Sequence, residues 1–184
     1  MNRRMIGYII GKMMGVEALV LLLPALISLI YREDDYVFFL MTSVVLAVIY
    51  FLLARKKPAE STIYGKEGLV IVAVAWVLWS IFGAIPFTIS GNIPSYVDAF
   101  FETVSGFTTT GSSILTDVEA LSHASLFWRS FTHWIGGMGI LVFLLAIVPR
   151  SNDRMMHVMR AEAPGPIIGK LVPRLRESAA ILYK

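Results

Sequence analysis

Tyr96-Val97-Asp98-Ala99-Phe100-Phe101-Glu102-Thr103-Val104-Ser105-Gly106-Phe107 runs directly into Thr108-Thr109-Thr110-Gly111-Ser112-Ser113. The first part is apolar, but as a helix of about 12 residues it reaches only about 18 Å, roughly half the hydrocarbon thickness of a bilayer. It can enter a membrane but cannot cross it. The second part is polar and holds a glycine, and it sits between one full-length apolar segment and another. The order span, half-helix, polar return, span is that of a re-entrant loop. Irregular polar backbone at membrane depth is tolerated only where it lines a cavity or is buried in protein.

Residue types give that loop a chemistry. An ion leaving water must recover its solvation from oxygen ligands. Thr109, Thr110, Gly111 and Ser112 offer backbone carbonyls, and Thr108 or Thr109 adds a hydroxyl. Gly111 supplies the conformational freedom that lets successive carbonyls face one axis. A half-helix ending at the membrane centre also directs the negative end of its dipole there, which favours a cation. The stretch 108–113 is therefore predicted to be one wall of a cation filter, with Thr109, Thr110 and Gly111 as the ion ligands. One loop supplies one quarter of a four-sided ring.

Working outward, the chain is 57% hydrophobic and only 16% charged, with a mean hydropathy of +0.71. That composition marks an integral membrane protein. Its net charge of +3 comes from basic residues beside apolar spans, with no stripe of interleaved aromatics, so membrane lipid and not nucleic acid is the predicted contact. Without cysteine there is no disulfide framework, thiolate nucleophile or Cys-based metal site. The N-terminal apolar run is too long for a signal-peptide core and is predicted to be retained.

Four segments are long enough to cross: residues 5–30, 37–54, 68–90 and 126–149. The first carries Lys12 and Glu17, the third ends in an Ile85-Pro86-Phe87 break, and the fourth contains Ile135-Gly136-Gly137-Met138-Gly139. Lys and Arg cluster at the N-terminus, in residues 55–66 and after residue 149, while the other side holds Glu33, Asp34, Asp35, Asp98, Glu102, Asp117 and Glu119. By the positive-inside rule, both the N-terminus and Lys184 are predicted to be cytoplasmic.

The residues Phe100 to Gly111, followed by Phe127-Trp128-Arg129-Ser130-Phe131-Thr132-His133-Trp134-Ile135-Gly136-Gly137-Met138-Gly139, closely resemble the first pore repeat of the TrkH-type potassium uptake proteins. That family lies within the Trk/Ktr/HKT superfamily. Ala161-Glu162-Ala163-Pro164-Gly165-Pro166 and Lys170-Leu171-Val172-Pro173-Arg174 resemble its first cytoplasmic connector, so the likeness covers nearly the whole chain.

The resemblance implies an all-α membrane protein: a two-helix transmembrane hairpin over residues 1–57, one helix/pore-loop/helix unit of a potassium-channel-like fold over 58–149, and a connector over 150–184. It implies potassium uptake across the bacterial cytoplasmic (inner) membrane, K+ as transported ion with no cofactor, four such units in one polypeptide, a homodimer, and a cytosolic nucleotide-binding TrkA-type regulatory subunit. Gly111 favours potassium over sodium by the same resemblance. Leu171, Leu175, Ala179 and Leu182 keep helical spacing up to Lys184, so an N-terminal fragment is expected, with the remaining repeats following.

Competing readings attach to several residues. An intramembrane serine hydrolase would use Ser105, Ser112 or Ser113 as nucleophile and His123 or His133 as base. A complete short chain could instead supply four filter loops by tetramerising. Asp117 and Glu119 are candidates for an outer vestibule that concentrates cations, or are solvated loop acids. Asp98 and Glu102 share a face of the half-helix, as vestibule acids or as a buried hydrogen bond. Glu17 is a functional candidate by its place in a span, or a structural partner. Gly136, Gly137 and Gly139 read as close packing against the loop more readily than as a gating bend. His123, His133 and His157 share no ligand spacing. Trp76, Trp79, Trp128 and Trp134 suit interfacial or packing roles, and the basic stretch 150–160 suits a membrane-surface helix.

Overall fold

The computed structural model describes residues 3–55, 58 and 65–139. These form α1 (Arg3–Val20), α2 (Leu22–Tyr31), α3 (Tyr36–Ala54), α4 (Gly65–Ile89), α5 (Tyr96–Phe107) and α6 (His123–Met138), with no strand among the described residues. The predicted all-α membrane fold is therefore the observed one. Three helical stretches are long and apolar enough to cross a bilayer, Arg3–Tyr31, Tyr36–Ala54 and Glu67–Ile89. The fourth predicted span is described only through α6, and its remainder lies outside the described residues, as do the connector, His157 and the basic stretch 150–160.

The first span is not one uninterrupted helix. It breaks at Leu21 into α1 and α2. Pro24 supplies the reason: it has no N–H to give the carbonyl one turn back, at Val20, where α1 ends. The helical path still continues, with the Leu21 N–H on the Glu17 carbonyl at 3.0 Å. The opposite correction applies to the predicted break at Pro86, since α4 runs through it to Ile89. Pro86 lies one turn from the helix end, and its carbonyl accepts the Ser90 N–H at 3.0 Å, so little of the hydrogen-bond ladder is lost.

α1 and α3 pack side by side as the two arms of the hairpin, and α4 packs on both. Close approach rests on glycine: a Cβ on Gly11 would stand 2.7 Å from Leu53 Cβ, and one on Gly15 would stand 2.8 Å from the Tyr50 ring. Ser43 Oγ donates to the Ala18 carbonyl at 2.7 Å and ties the arms together. The α2–α3 turn is closed by Arg32 in the left-handed region, with the Glu33 N–H on the Ser28 carbonyl at 2.9 Å.

The core that carries the loop is built around Phe107, the last residue of α5. It is fully buried, and its ring meets Trp76, Trp79 and Trp128 edge-on at centroid distances of 6.2, 5.7 and 6.3 Å. These are favoured aromatic geometries. Trp128 Nε1 also donates to the Gly83 carbonyl at 2.9 Å, joining α6 to α4. Three of the four tryptophans are thus packing residues, while Trp134 is half exposed and stacks on Phe131.

Candidate functional site

α5 has the predicted half length, 12 residues. Ser95 caps its N-terminus by accepting the Asp98 N–H at 3.4 Å, and Asp98 sits in the first turn, where a carboxylate suits the helix dipole. At the other end the Thr108 N–H closes on the Val104 carbonyl at 2.8 Å, and those of Thr109 and Thr110 close on Gly106 and Ser105, both at 2.9 Å. The backbone then leaves the helix. Thr109 has φ 55° and Gly111 has φ 77°. The glycine takes that region freely, whereas a β-branched threonine there is a true outlier costing about 1–3 kcal/mol. Such strain persists only when the surroundings over-determine it.

Those surroundings are identifiable. Gly106 and Gly136 let α6 lie directly on the end of α5: a Cβ on Gly136 would collide with the Phe107 carbonyl, and one on Gly106 with Thr132 Oγ1. Gly137 is looser, with only Thr109 Cγ2 within reach of an added Cβ, at 3.9 Å. Close packing is therefore the observed role of Gly136. Ser105 Oγ donates to the Ser112 carbonyl at 2.6 Å and holds the returning chain against the half-helix.

A buried ion pair fixes the far end of the loop. Glu102 is 1% exposed, and its Oε1 accepts from Arg129 Nε at 2.5 Å. The same carboxylate accepts from Ser113 Oγ at 3.0 and 3.1 Å and from the Ile114 N–H at 3.2 Å. One side chain on α5 thus holds both the exit of the 108–113 stretch and the helix that follows. Of the two readings of Glu102, the buried hydrogen-bond partner is the one observed, and Arg129 is the residue that sequence spacing did not link to it. The available signal was the charge itself, since an arginine inside an apolar span calls for an acid.

Between these braces Thr108, Thr109, Thr110, Gly111, Ser112 and Ser113 are all exposed. Thr108 Oγ1 is engaged with the Val104 carbonyl at 2.8 Å and with Thr110 Oγ1 at 2.7 Å, so its hydroxyl is committed within the loop. Among the described residues no hydrogen bond ends on the carbonyl oxygens of Thr109, Thr110 or Gly111. Asp117 and Glu119 are exposed in a turn of their own, where Asp117 Oδ1 accepts the Glu119 N–H at 3.0 Å.

The hairpin reaches the same face. Glu33 accepts the backbone N–H groups of His123 and Ala124 at 2.8 and 3.1 Å and lies 2.8 Å from His123 Nδ1, capping α6 from another helix pair. Burial alone would raise the Glu33 pKa. The hydrogen bonds from His123 and Ala124 and the attraction of His123 outweigh it and hold the carboxyl below its ordinary value. Asp35 joins Ser122 Oγ and Asn92 Nδ2 beside it. Tyr31 stacks on the His123 ring at 4.0 Å.

These contacts do not join the candidate serines to His123 or His133. His123 turns its ring nitrogen to Glu33, His133 Nδ1 lies 2.9 Å from the Arg129 carbonyl, and Ser105 and Ser113 are bonded elsewhere. No serine–histidine pair exists among the described residues. Glu17 is fully buried in α1, and among the described residues neither carboxylate oxygen has a hydrogen-bond partner.

The TrkH family of cation transport proteins matches residues 36–184. The Trk system potassium uptake protein TrkH of Vibrio parahaemolyticus is 37% identical over the whole of this chain, which spans 38% of that protein. TrkG of Escherichia coli K12 is 30% identical over 98% of the chain and 38% of its own length. The crystal structure of the potassium transporter TrkH from V. parahaemolyticus superposes on the entire chain with a TM-score of 0.78 at 32% identity, covering 36% of that structure. The chain thus spans under two fifths of the length of these relatives. Their names are those of transporters and lend no support to hydrolysis or to a short self-tetramerising channel. The matched family, the half-helix seated on α6 and the agreement in fold give one conclusion: this chain belongs to the TrkH family of cation transport proteins.

Proposed function

We propose that the chain forms the first of four filter walls in a potassium uptake protein, with K+ coordinated by the carbonyl oxygens of Thr109, Thr110 and Gly111 and the filter bounded by Thr108, Ser112 and Ser113. The observation that carries this reading is the set of carbonyls left without a donor among the described residues, at the end of a half-length helix and on backbone turned by Thr109 and Gly111. Free oxygens, the negative end of a helix dipole and a rigid seat on α6 are what a dehydrated cation requires. Asp117 and Glu119 are exposed just beyond and raise the local cation concentration at the outer mouth.

In this reading residues 1–57 are a bracing hairpin, 58–149 the filter unit and 150–184 the connector to three further repeats of the same polypeptide. The names of the relatives support potassium as the ion. The distribution of Lys and Arg supports a bacterial inner-membrane protein with a cytoplasmic N-terminus. A homodimer and a cytosolic nucleotide-binding TrkA-type subunit complete the proposed assembly.

Complementation tests it. The complete reading frame carrying this chain should restore growth of a potassium-uptake-deficient bacterium at low external potassium. Rubidium uptake in those cells should fall on substitution of Gly111 and hold on substitution of the exposed loop residue Thr116. Equal effects at both positions would remove Gly111 from the ion path.

A further inference from the structure

We infer that the hairpin carries a binding site for one anionic phospholipid, with the lipid phosphate on Lys12 and an acyl chain in the groove between α1 and α3. The groove is a cavity of about 480 Å³. It runs from Lys12 and Tyr50 at one end to Leu22 and Ser43 at the other, ten residues along α1 into the start of α2 and so about 15 Å. Its floor is cut by small side chains, Gly15, Ala18 and Ala47, and its rim is formed by Leu19 and Phe51, both exposed. A narrow apolar trough of that length accommodates one extended hydrocarbon chain.

The charge at its end selects the head group. Lys12 lies nine residues into the span that begins at Arg3, about 14 Å along the helix. Its ammonium sits 5.2 Å from the Tyr50 ring centroid and 5.8 Å from that of Tyr8, and donates to Tyr50 Oη at 3.4 Å. Aromatic faces attract a cation but do not neutralise it. No carboxylate among the described residues pairs with Lys12. A cation inside a membrane span pairs with an anion or reaches for the interface, and a phosphate above the ring cluster satisfies both demands. Tyr50 accepts from Lys12 and keeps its own hydroxyl proton to donate to a phosphate oxygen.

Arg3 and Arg4 begin α1 and Arg55 follows α3, all three exposed at this same end of the hairpin, so the surrounding rim is basic as well. A second groove, between α3 and α4, is lined by Val37, Leu40, Met41, Val44, Val45 and Ile89 among others and carries no charge. It offers nothing that would choose one lipid over another.

The test is native mass spectrometry of the complete reading frame in neutral detergent, titrated with phosphatidylglycerol and phosphatidylcholine of matched acyl chains. The wild type should take one phosphatidylglycerol about fivefold more tightly than phosphatidylcholine, the worth of one basic residue at an anionic surface. Lys12→Gln should abolish that preference, and Lys12→Arg should restore it. Ala47→Phe, which fills the trough and leaves Lys12 in place, should lower occupancy by both lipids. A preference that survives Lys12→Gln, or no preference in the wild type because another segment of the polypeptide covers Lys12, overturns the proposal. Should Lys12→Gln fail to fold, unchanged occupancy in Ala47→Phe overturns it equally.

Discussion

Arg129 Nε lies 2.5 Å from Glu102 Oε1 with the arginine side chain 15% exposed and the glutamate 1% exposed, and the same carboxylate holds Ser113 and Ile114. A buried pair of this kind contributes little relative to an apolar substitute, but removing one member strands the other. Glu102→Ala is expected to destabilise the protein by about 3–5 kcal/mol. The double variant Glu102→Ala/Arg129→Ala should lose clearly less than the sum of the single losses. Thermal unfolding of the four proteins in detergent checks this, and additive losses would mean that the two side chains act independently.

Gly111 and Gly91 form a matched pair. Their φ values are 77° and 78°, and an added Cβ at either meets nothing within 4 Å. Serine at either position therefore costs a similar backbone strain, about 1–2 kcal/mol, with no steric clash. Only Gly111 lies among the proposed ion ligands. Gly111→Ser should reduce the potassium-to-sodium uptake ratio by about tenfold, the worth of about 1.4 kcal/mol, while Gly91→Ser leaves the ratio unchanged. Glu17→Ala, in the hairpin, should affect selectivity less than Gly111→Ser. Competitive uptake of potassium and sodium in cells carrying each variant supplies the comparison.

The seat of the half-helix on α6 makes a steric prediction. Gly136→Ala drives a methyl into the Phe107 carbonyl, which is backbone and cannot rotate away. Overpacking of this kind costs about 1–3 kcal/mol. Gly137→Ala places its methyl 3.9 Å from Thr109 Cγ2, an ordinary contact, and should be tolerated. Melting temperatures should separate the two variants, and equal melting would show that α6 can shift away from α5.

How far the sequence reveals this arrangement depends on the range of each interaction. The first three spans are legible because apolar length alone decides them, and the half-helix is legible because it is too short to cross. Gly111 is legible because a turn in a polar stretch needs φ > 0. The two prolines show the limit of local rules: Pro24 interrupts a helix at Leu21, while Pro86 is absorbed one turn from a helix end. The bracing pairs are illegible for a different reason. Glu102 and Arg129 are 27 residues apart and Glu33 and His123 are 90 apart, so each needs the helix packing to be known before the partner can be named. Serine and histidine types suggest a hydrolase, and only the geometry shows Ser105 on a carbonyl, Ser113 on a carboxylate and, among the described residues, no histidine hydrogen-bonded to a serine.

The longest of those contacts, Glu33 on the N-terminus of α6, yields a prediction about acid. Burial pushes its pKa up, but the hydrogen bonds of His123 and Ala124 and the attraction of His123 bring it below the ordinary value of 4.5. A carboxyl lowered on folding adds stability that is present above its unfolded value and lost as pH falls through the folded one. The cap should therefore hold at neutral pH and fail progressively from about pH 4.5 downward. Glu33→Ala should cost about 1 kcal/mol at pH 7, as removal of a helix cap does, and its stability should depend less on pH across that acid window than the wild type's. Unfolding measured from pH 7 to pH 3 decides the matter: parallel curves for the two proteins would mean that the charge of Glu33 does not hold the hairpin to α6.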